Sequence, residues 1–203
     1  MERYGDSVII VAKGASRFGA SEIMKQHNNK IPVWTLNNGF FAPMSEVENL
    51  HFEVHDPIHH TEEEILNNFR TNVPYFREEQ LTIITRGKLP VDEIINEFKV
   101  TFLTNCVCYQ IALAVLLGYK TIYLCGVDTF IMEKTREQEI LGVEFWIGVA
   151  KGRGITVKQT QGLTNLFKNP TEFKLRNYLN GKNIGQNIRV DDKYLYDTKY
   201  LYK

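Results

Sequence analysis

The sequence predicts an α/β protein with one Rossmann-like domain, in which a mostly parallel sheet carries helices on both faces. Short runs of β-branched and apolar residues alternate with stretches of helical composition, which is the pattern of repeated β-α-β units. The first run leads into a glycine-containing turn, Lys13-Gly14-Ala15-Ser16, and then into a helix. We therefore predict a Rossmann-like domain over residues 1–158 and a C-terminal appendage over residues 159–203.

Six short runs predict strands. The first, residues 8–12, is apolar without interruption, which is typical of a strand buried on both faces of a parallel sheet. The third alternates in polarity and is stopped by Asp56-Pro57, because the residue before a proline disfavours helix. In order, the predicted strands are residues 8–12, 33–36, 51–55, 81–85, 121–125 and 155–157.

Five stretches predict helices. Thr61 followed by three glutamates places a capping hydroxyl and then acids in a first turn, which suits the helix dipole. Residues 106–117 are apolar on every face and end at Gly118, so that helix is expected to be central. In order, the predicted helices are residues 21–27, 61–70, 91–98, 106–117 and 137–151.

Composition restricts the class of protein. Hydrophobic residues make up 43% and charged residues 24% of 203, as in ordinary soluble globular proteins. Basic and acidic residues number 24 each, so no overall field favours nucleic acid. The sequence contains no run of eighteen apolar residues and no signal-peptide core at its start, which predicts neither a membrane span nor secretion.

The three cysteines favour a reducing environment. Cys106, Cys108 and Cys125 lie in apolar runs and are odd in number, unlike a disulfide framework. We therefore expect a cytoplasmic protein, in the host cytoplasm if the chain is phage-encoded. Residues 193–203 hold four of the ten tyrosines, and aromatic side chains of this kind pack on a domain or on a neighbouring subunit. A homo-oligomer formed through this tail is a reasonable expectation.

The turn after the first strand is the first candidate ligand site, because ligands of open parallel sheets collect beyond the carboxyl ends of the strands. Gly14 permits close approach of a ligand to the backbone, and Ser16 can bond or cap. Lys13 and Arg17 supply positive charge, and the following helix offers N–H groups to a phosphate. The alternative is an ordinary strand-to-helix turn with two solvated bases.

Further polar residues follow the second and third strands. Asn37 and Asn38 could pair with a base, a ribose or a sugar hydroxyl, or could serve only the turn that Asn-Gly favours. Glu53 and His55 could act as a general base in a pocket. With Asp56, His59 and His60, they form a cluster that could instead hold a metal ion or simply be a polar loop.

The fifth strand and the apolar helix add the last candidates. Asp128 follows the fifth strand and could bond a ribose hydroxyl or cap the next segment. Thr104 and Asn105 precede the apolar helix and could offer a hydroxyl or an amide to a phosphate, or cap the helix. In a parallel sheet these residues are expected to gather with Asn37 at one edge.

Four blocks, residues 8–16, 33–41, 112–128 and 144–155, occur in an order and spacing that resemble known families. The first three resemble bacterial sialyltransferases related to the Campylobacter lipooligosaccharide enzymes, and the same layout recurs in pterin-pyrophosphokinase-like proteins. The fourth block resembles small bacteriophage proteins that share this plan. The resemblance covers about 150 residues and implies a Rossmann-like fold that binds a nucleotide or a nucleotide sugar.

The resemblance also implies roles for single residues. Lys13 stands at the place of an asparagine that contacts the nucleotide, Asn37 matches the asparagine of the second strand, and His55 falls where the enzymes have an asparagine. The tyrosine pair that holds the phosphate is absent from residues 129–135, and the helix that follows lacks the family's histidine base. The catalytic residues of the family are therefore not retained.

Three functions remain open from the sequence. The leading hypothesis is a glycosyltransferase that binds a nucleotide sugar, uses His55 or Glu53 to deprotonate an acceptor hydroxyl, and needs no metal or other cofactor. Lys13 and Arg17 would then stabilise the phosphate. The second is a non-catalytic phage protein that sequesters a nucleotide or a nucleotide-derived signal. The third is a metal-dependent nucleotide pyrophosphokinase or hydrolase using the acid and histidine cluster.

Overall fold

A computed structural model of the chain describes residues 3–37, 44–54, 61–73, 76–127 and 137–160. Its centre is a six-stranded sheet with strand order β4-β3-β2-β1-β5-β6, in which every neighbouring pair is parallel. The α/β fold class predicted from the sequence is confirmed. The strands are β1 (Ser7–Val11), β2 (Val33–Leu36), β3 (Asn49–Glu53), β4 (Leu81–Thr85), β5 (Thr121–Cys125) and β6 (Thr156–Gln159).

Three predicted strands differ from the observed ones at their ends. β1 begins and ends one residue earlier than predicted, because Ser7 already pairs with Thr121 of β5. β3 begins two residues earlier than predicted because Asn49 and Leu50 already pair with Leu81 and Thr82 of β4, and it ends at Glu53. β6 begins after Ile155 because the Ile155 N–H donates to the Ala150 carbonyl, 3.0 Å away, and so closes the preceding helix.

All five predicted helices are present. They are α1 (Gly19–Gln26), α2 (Glu62–Asn72), α3 (Val91–Phe98), α4 (Cys106–Leu116) and α5 (Glu137–Gly152). At α2 the predicted cap is a full capping box, because the Thr61 hydroxyl accepts from the Glu64 N–H and the Glu64 carboxylate accepts from the Thr61 N–H. None of the described helices is long and apolar enough to cross a membrane.

Helices cover both faces of the sheet. On one face, Ile9 and Val11 of β1 pack against Ala20 and Met24 of α1, and α2 lies over Ile83 of β4 through its own apolar residues. Successive strand residues point to opposite faces, and α4 packs across β1, β2 and β3 on the other face. α5 packs on α4, where the Trp146 indole donates to the Phe102 carbonyl at 2.7 Å.

The order of the strands locates the crevice. From β1 the chain proceeds through β2, β3 and β4 on one side of the sheet, and then continues through β5 and β6 on the other side. In such open sheets, ligands bind outside the carboxyl ends of the strands where this reversal occurs. That position is here the shared end of β1 and β5. The predicted appendage remains a prediction, since residues 161–203 lie outside the described ranges.

Candidate functional site

The turn that follows β1 is tied to the end of β5. The Gly14 N–H donates to the Gly126 carbonyl at 2.8 Å, and the Gly126 N–H donates to the Ser16 hydroxyl oxygen at 3.0 Å. The Thr160 hydroxyl donates to the Ser16 carbonyl at 2.9 Å. Ser16, which is buried, therefore joins the two loops that flank the crevice, and the turn is held in shape by its neighbours.

Gly126 is required at this position for two reasons. Its φ is +70°, a region in which side chains are strained. A Cβ atom there would also overlap the Ala12 carbonyl oxygen and would lie 2.8 Å from the Arg17 Cβ. The close approach of the β1 and β5 loops thus depends on a residue without a side chain.

The Arg17 side chain stabilises the turn through two backbone carbonyls. Its guanidinium donates to the Lys13 carbonyl at 2.9 Å and to the Gly14 carbonyl at 3.3 Å. The same group lies 4.5 Å from the centre of the Phe18 ring, which is 71% exposed. Arg17 is thus engaged with the backbone of the turn, whereas the Lys13 side chain is exposed.

Lys13 and Glu53 both act on the first residue of α4. Burial raises the pKa of the Cys106 thiol most strongly, the negative charge of Glu53 raises it further, and the positive charge of Lys13 lowers it. Glu53, the last residue of β3, is 4% exposed. A basic group after β1 and an acidic group at the end of β3 therefore lie close enough to the first turn of α4 for their charges to act on the Cys106 thiol.

Thr104 and Asn105 precede α4, and Asn105 is its N-cap. The Asn105 amide oxygen accepts from the Cys108 N–H at 3.0 Å, and its amide nitrogen donates to the Glu139 carbonyl at 3.2 Å. The Thr104 hydroxyl lies 3.5 Å from the Cys108 sulfur. Asn105 therefore caps α4 and joins its first turn to α5, and Thr104 packs on that turn.

Asn37 follows β2 in a left-handed conformation, with a φ of +48°. Its N–H donates to the Phe52 carbonyl at 2.9 Å, and the Cys106 thiol approaches the same carbonyl at 3.8 Å. The Asn37 amide oxygen is buried and has no hydrogen-bond partner in the described part of the chain. Asn37 thus offers an unused acceptor beside the first turn of α4.

Gln110 is a polar residue of this region that the sequence analysis missed. It lies one turn after Cys106 on α4, is fully buried, and donates from its amide nitrogen to the Thr35 carbonyl at 2.8 Å. Its amide oxygen is buried and has no partner within the described ranges. The only signal in the sequence is a single glutamine inside an otherwise apolar helix.

Several predicted site residues lie outside the described residues. They are Asn38, His55, Asp56, His59, His60 and Asp128. Among the residues that the structure does describe, no group of three or more His, Cys, Asp or Glu side chains could hold a metal ion. Other predicted site residues lie together at the end of the sheet where the strands end. They are Lys13, Asn37, Glu53, Thr104 and Asn105.

No protein-family model matches the chain, and no curated protein matches it. Among solved structures, the chain is similar to the sialyltransferase CstII from Campylobacter jejuni, determined in complex with the substrate analogue cytidine-5'-monophosphate. The TM-score is 0.46 at 16% sequence identity, and the match covers 96% of this chain and 99% of the other.

Proposed function

We propose that this protein binds a nucleotide in the crevice where β1 and β5 end, and transfers the sugar of a nucleotide sugar to an acceptor hydroxyl. The observation that carries the proposal is that the N-terminal turn of α4 lies beside Asn37 at the end of β2, because the Cys106 thiol and the Asn37 N–H both approach the Phe52 carbonyl. This arrangement lies near the reversal of strand order, the usual ligand position in such sheets.

The phosphate half of the ligand fits Lys13 and α4. The first N–H groups of a helix have no partner within the helix and carry partial positive charge, so they favour anions. Lys13 is exposed and adds a full charge at the same place. We assign Gly14 to the close approach of the phosphate, Ser16 and Arg17 to holding the turn, and Thr104 and Asn105 to fixing the helix end.

The nucleoside half fits the end of β2. In Rossmann-like folds, a residue near the end of the second strand bonds the ribose. The unused Asn37 amide oxygen occupies that place, and an acceptor there suits a ribose hydroxyl. Asn38 and Asp128 remain proposed ligand contacts on the basis of their sequence positions after β2 and β5.

The chemistry needs a base and a stabilised leaving group. In the proposed step, the carboxylate of Glu53 or the imidazole of His55 accepts the proton of the acceptor hydroxyl. The acceptor oxygen then bonds to the anomeric carbon as the bond from that carbon to the phosphate oxygen breaks. The electron pair leaves with the nucleotide, whose growing charge Lys13 and the α4 terminus would stabilise.

Binding is tested first, by thermal shift of the full chain with nucleotides and nucleotide sugars, with and without Mg²⁺ or Mn²⁺. We expect a nucleotide to raise the unfolding midpoint without a divalent ion. A response only with a divalent ion would favour the metal-dependent pyrophosphokinase or hydrolase instead. No response to any nucleotide would overturn the proposal.

Transfer is tested by incubating the stabilising nucleotide sugar with the protein and simple sugar acceptors, and detecting the released nucleotide and glycosylated product. We expect Glu53→Gln or His55→Ala to abolish turnover while nucleotide binding is retained. If the wild-type protein binds the nucleotide sugar but releases no product with any acceptor, the sequestering function replaces the transferase.

A further inference from the structure

Two buried amide oxygens lie near the end of β2, and both are acceptors without a partner among the described residues. One belongs to Asn37 and the other to Gln110. A buried polar atom without a hydrogen bond is unfavourable, and such atoms in native proteins call for an explanation, such as a ligand or an ordered water. The pair is therefore a candidate for the recognition of a donor group.

The identity of the Gln110 oxygen is fixed by its neighbour. The Thr35 carbonyl can only accept, so the atom that lies 2.8 Å from it is the amide nitrogen. The remaining atom of the Gln110 amide is then the oxygen, which is the unpartnered one. This assignment makes the site an acceptor that only an N–H or O–H donor can satisfy.

Asn37 and Gln110 lie at neighbouring levels near the end of β2. Cys106 and Asn37 are at one level, because both approach the Phe52 carbonyl. Gln110 is four residues after Cys106 on α4 and bonds Thr35, two residues before Asn37. One helical turn, about 5.4 Å of rise, separates the two levels, which is a span that adjacent hydroxyls with two outgoing hydrogen bonds can bridge.

We infer that Gln110 and Asn37 together read the vicinal hydroxyls of a ribose, so that the site selects ribonucleotides over 2′-deoxyribonucleotides. This inference rests on the proposed nucleotide-binding function and adds Gln110 as a specificity-determining residue. A ribose carries two neighbouring O–H donors, one for each acceptor, whereas 2′-deoxyribose leaves one acceptor unsatisfied. Asn37 is half-buried and Gln110 is fully buried, so the inference requires that the Asn37 side chain move to admit the sugar to Gln110.

The test is isothermal titration of the full chain with AMP, CMP, GMP and UMP and with their 2′-deoxy counterparts. Each pair differs by one hydroxyl, so the base and phosphate contacts cancel. Within the pair that binds best, we expect the ribonucleotide to bind about 10- to 100-fold more tightly than its 2′-deoxy counterpart. The 2′-deoxy sugar is disfavoured because it leaves a buried acceptor unpaired.

Two variants assign the discrimination to Gln110. Gln110→Met keeps the length of the side chain and removes the acceptor, so ribonucleotide affinity should fall to the deoxyribonucleotide value while deoxyribonucleotide affinity is unchanged. Gln110→Glu, measured at pH 5, keeps both functions because a buried protonated carboxyl can donate to Thr35 and still accept. Discrimination should therefore persist in Gln110→Glu, which also covers the case that the Met variant fails to fold.

The outcomes separate the inference from the function on which it rests. Equal affinity for both members of every pair, or discrimination that survives in a folded Gln110→Met variant, would overturn the inference and leave nucleotide binding intact. If no nucleotide of either kind binds the wild-type chain, the proposed function fails and the inference fails with it.

Discussion

The strands begin at one end of the sheet, here called the amino edge, and end at the other, the carboxyl edge. The two edges differ in how asparagine side chains are hydrogen-bonded. Asn49 begins β3 at the amino edge, and its side chain accepts from the Ser45 N–H at 2.7 Å and donates to the Ser45 and Gln80 carbonyls at 3.0 and 3.2 Å. Asn37 follows β2 at the carboxyl edge, and its amide oxygen accepts from no group in the described chain. The fold therefore satisfies both the oxygen and the nitrogen of the Asn49 side chain, whereas the Asn37 amide oxygen can still accept a hydrogen bond.

A similar contrast holds between Glu48 at the amino edge and three amide side chains at the carboxyl edge. At the amino edge, the Trp34 indole lies close enough to the Glu48 carboxylate to lower its pKa, although no bond of regular geometry joins them. At the amino edge, the Trp34 indole donor therefore lies near an acceptor, the Glu48 carboxylate. At the carboxyl edge, Asn37, Gln110 and Gln159 each have an unpartnered amide oxygen in the described ranges. These three buried acceptors require donors from a ligand or from water.

Substitution of two glycines with positive φ should give the largest difference between the edges. Gly126→Ala at the carboxyl edge adds a clash with the Ala12 backbone to the strain of a φ of +70°, and should lower the free energy of unfolding by about 3 kcal/mol or more. Gly118→Ala at the amino edge has a φ of +75° and its nearest contact at 3.9 Å, and should cost about 1–2 kcal/mol. Urea unfolding measures both, and equal losses would show that the packing of the β1 and β5 loops is loose.

The two edges should also differ in the effect of lysine on nucleotide affinity. Lys13→Ala removes the charge beside the α4 terminus and should weaken nucleotide binding about 10- to 100-fold, the range expected for a hydrogen bond to a charged group. Lys30→Ala is the matched control, because Lys30 is also exposed but precedes β2 at the amino edge. Isothermal titration measures both affinities, and a similar loss in the control would point to a general charge effect instead of a site.

A smaller effect is expected from asparagine at two left-handed positions. Asn37→Gly keeps the backbone conformation, whose φ is +48°, and removes the free acceptor. Nucleotide affinity should fall about 3- to 10-fold, as for a single neutral hydrogen bond. Asn28→Gly makes the same chemical change at a φ of +52° after α1, and should leave affinity unchanged. Unaltered binding by Asn37→Gly would remove Asn37 from the site.

The smallest effect concerns pH at the amino edge. Burial raises the pKa of Glu48 above its ordinary value of 4.5, and the Trp34 contact opposes this shift. Because the folded state holds the proton more tightly, the stability that Glu48 contributes is present at low pH and is lost as pH rises through the folded pKa. Glu48→Gln should therefore slightly raise the unfolding midpoint at pH 7, with the gain disappearing near pH 4. Thermal unfolding at the two pH values measures it, with the exposed Glu46→Gln as control; a gain at pH 4 alone would contradict the assignment.

The sequence predicts the elements well where a local pattern sets them. The apolar runs of β2, β4 and β5 and the capping pair Thr61 and Glu64 each carry their signal within a few residues. The gathering of Lys13 and Glu53 at α4 could also be expected, because parallel strands end at one edge.

Other features of the site depend on contacts that no local pattern contains. The guanidinium of Arg17 is bonded to two carbonyls of its own turn, Ala15–Phe18 and the residues before it, and the sequence pattern did not indicate these bonds. The role of Gln110 could not be predicted, because it lies in an apolar helix and its partner Thr35 is 75 residues earlier in the chain. The unpaired oxygen of Gln110 becomes visible only when α4 is placed on β2.

The central claim, that a nucleotide binds where β1 and β5 end and reaches the end of β2, is tested most directly by NMR. The backbone amides of the ¹⁵N-labelled full chain are followed during titration with each of the four nucleoside monophosphates. We predict that the signals of Lys13, Gly14, Asn37 and Cys106 shift together and saturate with one affinity, while those of Asn28 and Gly118 stay in place. Shifts confined to the amino edge, or no saturable shifts with any nucleotide, would contradict the account.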